Sequence, residues 1–198
     1  MTCWACKSDV PPEAPSCPAC GKLQPAAGGE DLFAALGLPR RFDLEPSELE
    51  ARFRERSRRF HPDRFARADA RERRIALDRS TRLNDAHRTL REPRRRAEYL
   101  LRLAGHDPLA EARTLHDPEF LEEQLEVREQ LAIARAEGDA AAVAALGQGA
   151  RERLAALEGE LGPLFAAGAP HEELSRRLAR ARYYDSIIAD AVPSPQRD

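Results

Sequence analysis

The sequence predicts a mostly α-helical protein of 198 residues in three parts. All four cysteines lie within the first 22 residues, and the stretch LQPAAGGE at 23–30 is typical of a short linker. From Asp31 onward, apolar residues recur at helical spacing, while Val, Ile and Thr are scarce. The charge also divides the chain, because residues 31–105 carry 20 Arg against 13 acidic residues and residues 106–198 carry 10 basic against 18 acidic residues. The predicted boundaries are 1–30, 31–105 and 106–198.

Composition and motifs limit the classes of function that this chain can have. Hydrophobic residues make up 42% and charged residues 33%, which is typical of a globular, water-soluble chain. No run approaches the roughly 18 apolar residues that span a bilayer, and MTCWACKSDV lacks the basic and apolar regions of a secretory signal. We therefore expect a cytoplasmic protein that binds no membrane. The motifs GxxxxGK(S/T), GxGxxG, GxSxG and HExxH are absent, so we expect neither a nucleotide site nor enzyme activity.

The basic part predicts four helices, at about 31–37, 46–60, 69–90 and 93–103. The second helix is amphipathic, with apolar residues on one face and arginines on another. The apolar face carries Leu49, Phe53 and Phe60, and the basic face carries Arg52, Arg56 and Arg59. Further core candidates in this part are Leu32, Phe33, Leu36, Leu38, Ile75, Leu83, Ala86 and Leu90.

The acidic part predicts three long antiparallel helices. The first runs from Asp117-Pro118 to Gly138, the second covers about 140–161 and stops before Gly162-Pro163, and the third covers about 170–191. Each has one apolar face, which a three-helix bundle would bury. The core candidates are Phe120, Val127, Leu131, Leu174, Leu178, Ala181 and Ile188.

The cysteine spacing predicts a structural zinc site. Cys3-x-x-Cys6 and Cys17-x-x-Cys20 are two knuckles that together supply four thiolates, the ligand set of a closed tetrahedral site. A segment of about thirty residues cannot form a stable core without a metal site or another cross-link. A redox dithiol or a disulfide pair is the alternative. Trp4, between two ligands, either contacts a partner or packs over the metal site.

The sequence His61-Pro62-Asp63 follows the basic helix and precedes a long one. Pro62 fixes its own φ angle and stiffens the turn. His61 and Asp63 are then presented at a rigid tip, where a carboxylate can form a bidentate pair with an arginine of a partner. The arginine face beside the tip would steer the protein toward an acidic surface.

Several stretches resemble a J domain, and specifically the J domain of HscB-type co-chaperones. They are DLFAALGLP at 31–39, RFRERSRRFHPDRF at 52–65, the run Leu83-Asn84-Asp85-Ala86, PRRRAEYLL at 93–101 and FLEEQLEVREQL at 120–131. The N-terminal cysteines resemble the metal-binding extension of some members. The resemblance implies a mostly α fold with a small four-cysteine zinc module, a helical J domain and a C-terminal three-helix bundle.

The resemblance also implies two partners and the residues that bind them. A DnaK/HscA-type ATPase chaperone would bind the J domain and be stimulated through His61, Pro62, Asp63, Arg52, Arg56, Arg59 and Arg64. An IscU-type iron–sulfur scaffold would bind the bundle through Leu121, Leu125, Glu126, Glu129 and Tyr183. Glu122 departs from the apolar residue that some members carry there. The alternative is that Leu121 and Leu125 pack only within the bundle.

Two other functions stay open at this point. A zinc ribbon beside an arginine-rich helix is also found in nucleic-acid-binding proteins, although the net charge of −8 in residues 106–198 would be repelled by phosphate. A thiol oxidoreductase would need a reactive dithiol instead of a metal. We expect no nucleic-acid partner. A homodimer is possible, and the role of the four-cysteine module lies between stability, dimerisation and redox sensing.

Overall fold

The computed structural model describes residues 1–114 and 117–192, and this part of the chain contains eight α-helices. They are α1 (Leu32–Leu36), α2 (Pro46–Phe60), α3 (Ala70–Leu90), α4 (Pro93–Leu103), α5 (Pro108–Thr114), α6 (Pro118–Ala136), α7 (Ala140–Ala166) and α8 (His171–Asp190). A 3-10 turn, Pro62–Phe65, lies between α2 and α3. The mostly α fold class is therefore confirmed. Among the described residues, no helix combines the length and the apolar character that crossing a membrane requires.

The chain forms two compact units, Met1–Arg96 and Ala97–Asp198. The boundary between them falls inside α4. The first unit holds the four cysteines and the first three helices, and the second holds α5 to α8. The finer division at residues 30 and 105 stays a prediction.

In the first unit, α3 packs against α1 and α2. All of the core candidates predicted for this part are buried except Phe53, which is half-buried. Helix α1 begins at Asp31, whose carboxylate accepts a hydrogen bond from the Ala34 amide at 2.8 Å. It ends at Gly37, which has a φ of 68°.

In the second unit, α8 packs against α5 and α7, and α6 packs against α7. The shared core contains Phe120, Leu131, Ala150, Leu157, Ala181, Tyr183, Tyr184 and Ile187. Asp117 begins α6, because its carboxylate accepts a hydrogen bond from the Phe120 amide at 3.2 Å and another from Arg180 on α8 at 2.6 Å. The Arg180 bond lowers the pKa of Asp117. One carboxylate thus both caps α6 and joins it to α8.

The predicted end of the second bundle helix at residue 161 is wrong, because α7 continues through Pro163 to Ala166. A proline inside a helix removes one hydrogen bond and crowds the carbonyl four residues earlier. Here the ring lies on the exposed side of the helix, and the residue four positions earlier is Gly159. The helical hydrogen bonding continues after the proline, since the Ala167 amide donates to the Pro163 carbonyl at 2.9 Å. The sequence analysis also missed the short helix α5.

Gly37 provides a test of how α1 is held against α2. A Cβ atom at this position would clash with the guanidinium of Arg56, in addition to the strain of the positive φ. We expect Gly37→Ala to lower the free energy of unfolding of the first unit by about 2–3 kcal/mol, measured by urea denaturation. Gly29→Ala is the matched control, because Gly29 has a φ of 81° and open space around it. It should cost about 1 kcal/mol, and equal losses in the two variants would contradict this packing.

Candidate functional site

The four cysteines come together in a single cluster. Their Sγ atoms all lie within 4.8 Å of one another, with 3.7 Å between Cys3 and Cys20 and 3.6 Å between Cys6 and Cys17. These distances exceed the ~2.05 Å of a disulfide. A tetrahedral zinc with bonds of about 2.3 Å would hold its sulfur ligands about 3.8 Å apart. The donor set therefore fits a metal ion held by four thiolates.

The two knuckles share one backbone arrangement. In the first, the Lys7 amide donates to the Cys3 carbonyl at 3.2 Å; in the second, the Gly21 amide donates to the Cys17 carbonyl at 2.8 Å. Lys7 and Gly21 occupy equivalent positions and both have positive φ, 68° and 73°. An isolated antiparallel bridge also flanks each knuckle. The sequence shows only the repeated C-x-x-C, so it does not predict the left-handed backbone conformation of Lys7.

The surroundings of Cys3 favour its thiolate form. Burial opposes ionisation, but hydrogen bonds from the Cys6 and Ala5 amides outweigh it and lower the pKa of Cys3 to about 6. The buried side chain of Gln24 adds a further N–H donor, 3.4 Å from the same sulfur. In Cys20, an exposed residue, the Lys22 amide favours the thiolate, but partial desolvation of the sulfur and the three neighbouring cysteines raise its pKa to about 12. A bound cation would relieve this crowding of negative charge.

Trp4 packs between the module and α3. Its indole N–H donates to the Leu23 carbonyl at 2.7 Å, and the guanidinium of Arg71 lies 4.9 Å from the ring centroid. Of the two roles considered for Trp4, these contacts favour packing.

The loop after α2 presents the predicted tip. His61 ends α2 and begins the 3-10 turn, and its Nδ1 accepts a hydrogen bond from the Asp63 amide at 3.3 Å. The Asp63 side chain is 90% exposed. Pro62 occupies the first position of the turn, where its fixed φ is already suitable. The tip therefore offers an accessible carboxylate on a short, ordered backbone.

The predicted basic residues separate into two groups. Arg52, Arg59 and Arg64 are exposed. Arg56 is half-buried, because its guanidinium donates to the carbonyls of Ala34 and Ala35, at 3.4 and 2.9 Å. Burial lowers the pKa of Arg56. Its first role is thus to satisfy carbonyls at the end of α1, and its predicted contact with a chaperone stays a prediction.

The predicted scaffold-binding face of α6 is accessible to solvent. Leu121 and Leu125 are 53% and 70% exposed, so they do not pack only within the bundle. Glu126 and Glu129 are also exposed and lie beside them on the same helix. The helix therefore presents two neighbouring leucines with an acidic rim.

Tyr183 requires a correction, because it does not lie on this face. It is 7% exposed, its ring meets Phe120 edge-on at 5.4 Å, and its hydroxyl donates to the Gln124 carbonyl at 3.1 Å. Burial raises its pKa. The aromatic ring contributes area to the core, and the hydroxyl holds the segment of α6 that carries Leu121 and Leu125.

The sequence analysis missed the residues that attach the four-cysteine module to α3. The carboxylate of Glu72, a buried side chain, accepts a hydrogen bond from the Leu23 amide at 2.9 Å and binds the ammonium group of Lys22 at 2.7 Å. Arg79, also buried, donates to the carbonyls of Gln24 and Pro25, at 2.8 and 3.1 Å. Each contact joins residues about fifty positions apart, which no local pattern reveals.

Lys22 also reaches the beginning of α3. Its ammonium group lies 2.9 Å from the carboxylate of Asp69, the residue that caps α3. The bonds with Glu72 and Asp69 raise the pKa of Lys22, and the pKa of Asp69 is lowered by the Glu72 amide and by Lys22. The Asp69-x-x-Glu72 spacing is that of a capping box, in which Glu72 would turn back to the cap. In the structure it binds the module instead.

Comparison with known proteins finds one family throughout. The family model described as the HSCB C-terminal oligomerisation domain matches residues 116–192. A curated relative, the co-chaperone protein HscB homolog of Vibrio cholerae, is 47% identical over 116 residues, which cover 58% of this chain and 68% of the relative.

Solved structures agree with this match. The crystal structure of the human co-chaperone protein HscB is 28% identical, with a TM-score of 0.84 and coverage of 96% of both chains. The chaperone HscB from Vibrio cholerae is 32% identical, with a TM-score of 0.66 and coverage of 81% of this chain and 94% of that one. The Jac1 co-chaperone from Saccharomyces cerevisiae, at 18% identity and a TM-score of 0.62 over 85% and 98% of the two chains, shares the fold.

Glu72→Gln tests the attachment of the module. The amide keeps one acceptor for Leu23 but loses the charge that binds Lys22, so we expect the free energy of unfolding of the first unit to fall by about 1–3 kcal/mol. Urea denaturation measures this loss. Asp69→Asn is the control, because asparagine also caps helices well and the Lys22–Asp69 pair is exposed. A loss for Asp69→Asn as large as that for Glu72→Gln would contradict the assignment.

Proposed function

Because this chain belongs to the HscB co-chaperone family, we propose that it binds an IscU-type iron–sulfur scaffold and delivers it to a DnaK/HscA-type chaperone, whose ATP hydrolysis it stimulates. The exposed Asp63 carboxylate at the ordered tip of the first unit carries this proposal. The chain would itself break no bond. It would shift the conformational equilibrium of the chaperone, and the chaperone itself would hydrolyse the ATP.

The chaperone would contact the tip and the exposed arginines beside it. Asp63 has the geometry to accept a bidentate pair from a partner arginine. Exposed Arg52, Arg59 and Arg64 supply a positive field that speeds encounter with an acidic surface. Arg56 adds to this field while it stays bonded to α1.

The scaffold would bind the face of α6. Leu121 and Leu125 form an apolar centre, and Glu126 and Glu129 form a charged rim, which is the usual anatomy of a protein interface. Tyr183 supports this face from below. Since one chain carries both binding surfaces, a bound scaffold is held at a high effective concentration near the chaperone.

The four cysteines would hold a structural zinc ion. Cys3, Cys6, Cys17 and Cys20 fill all four positions of a tetrahedral site, so the metal would stabilise the module and leave no position for a substrate. We place the protein in the cytoplasm, with no nucleic-acid or membrane partner. The description of the matched family model as an oligomerisation domain supports a homodimer formed through the C-terminal unit.

Asp63→Asn tests the chaperone half of the proposal. The Asp63 side chain is 90% exposed and lies near only the exposed ring of His61 at 3.5 Å. The fold should therefore persist, while stimulation of ATP hydrolysis in a DnaK/HscA-type chaperone should fall at least ten-fold. Asp78→Asn, at another exposed position of the same unit, should stimulate like the wild type. Equal stimulation by the wild type and Asp63→Asn would refute the proposal.

Leu121→Ala combined with Leu125→Ala tests the scaffold half. Both side chains are mostly exposed, so circular dichroism should be unchanged, whereas the affinity for the scaffold should fall at least ten-fold by calorimetry. Ile133→Ala, at a residue 49% exposed on the same helix, should bind normally. When no scaffold is present, the double variant should stimulate ATP hydrolysis by the chaperone as the wild type does. If the double variant unfolds, or binds as well as Ile133→Ala, the face is not the docking site.

The metal is tested by elemental analysis and by the fluorescence of Trp4, the one tryptophan of the sequence. We expect one zinc per chain and a shifted emission spectrum when a strong chelator removes it, because Trp4 packs on the module. Cys20→Ser should reproduce the spectrum of the chelated protein. A zinc-free chain that consumes disulfide substrates would support the oxidoreductase alternative instead.

A further inference from the structure

The four-cysteine module forms one wall of a groove in the first unit. The groove has a volume of about 580 Å³. It is lined by Pro12, Glu13 and Pro15 from the loop between the two knuckles, by the linker and by α2. The two prolines restrict the backbone of this wall. One wall of the groove therefore comes from a part of the chain that the proposed function leaves without a role beyond stability.

The groove has a net positive lining, because arginines outnumber glutamates by one. Its lining includes four arginines, Arg52, Arg56, Arg59 and Arg79, against three glutamates. Arg56 and Arg79 donate hydrogen bonds to main-chain carbonyls, which are neutral and do not cancel the positive charge. Arg52 and Arg59 are exposed on α2, where Arg52 lies 3.7 Å from the carboxylate of Glu55. An anionic occupant would therefore meet one arginine that has no carboxylate partner among the described residues, Arg59, at the exposed part of the lining.

The module wall is firmly attached to the rest of the unit. Glu72 binds Lys22 and the Leu23 amide, and Arg79 binds the carbonyls that follow. Arg82 donates to the carbonyl of Glu30 at the end of the linker. Because these contacts lie on both sides of the linker, the wall keeps its place beside α2.

We propose that this groove receives an extended acidic segment of the ATPase chaperone, so that the four-cysteine module and its linker form a second wall of the chaperone-binding surface. The inference rests on the proposed function, because Arg52 and Arg59 belong both to the groove and to the predicted chaperone contact. Charge complementarity selects the occupant. Glu13, an acidic group on the module wall, would then repel the acidic segment and lower its affinity for the groove.

Glu13→Lys tests the inference with the full-length, metal-loaded chain. The half-maximal concentration for stimulating ATP hydrolysis should fall about three-fold at low salt, and the gain should shrink as salt screens the charges. Asp9→Lys is the matched control, since it makes the same change of charge on the same module, at an exposed residue outside the groove. It should behave as the wild type. Equal effects of the two substitutions would overturn the inference.

A direct binding measurement separates this inference from the proposed function. A fluorescent hexaglutamate peptide should bind Glu13→Lys about three-fold more tightly than Asp9→Lys, whether or not the chain stimulates a chaperone. If the wild type stimulates, Asp63→Asn does not, and the two lysine variants bind the peptide equally, only the groove inference fails. If a single-stranded oligonucleotide displaces the peptide at physiological salt and binds more tightly, the occupant is a nucleic acid and the inference is also overturned.

Discussion

The arrangement of the first unit depends on the contact between the buried carboxylate of Glu72 and the four-cysteine module. The carboxylate binds the main chain at Leu23 and the side chain of Lys22, and it lies in the first turn of α3, shortly after the exposed tip. A carboxylate removed from water must have its acceptors filled, and the cysteine module fills them. The module is thereby attached to the first turn of α3, and the 3-10 turn of the tip packs against the same helix. The module and the proposed chaperone site therefore share one supporting helix.

The two units differ in the chemistry they present. The first exposes arginines around a rigid turn, and the second exposes two leucines with an acidic rim on α6. A basic surface favours rapid encounter with an acidic partner, while an apolar centre favours a longer-lived complex. This difference supports the proposed function, in which the chain holds one partner while it acts briefly on another.

Local patterns predicted much of the structure, and long-range contacts account for what they missed. The cysteine spacing placed all four ligands in one cluster, and the helical periodicity identified Phe33, Leu83 and Leu90 as core. The pair Gly162-Pro163 predicts a helix end, but an exposed proline ring with a glycine four residues earlier lets α7 continue. The burial of Tyr183 and the bonds of Arg56 and Glu72 depend on partners far away in the sequence. Periodicity gives the face of a helix but not what covers it.

The most direct test of this account is a map of the surface that the chaperone touches. Isotope-labelled chain is titrated with the ATP-bound chaperone, and changes in backbone amide chemical shifts are recorded by NMR. The account predicts one contiguous set of shifts that includes the tip at Asp63, the exposed side of α2 at Arg59 and the module wall at Glu13, with α6 unaffected. Shifts confined to α6, or none at the tip at saturating chaperone, would contradict it.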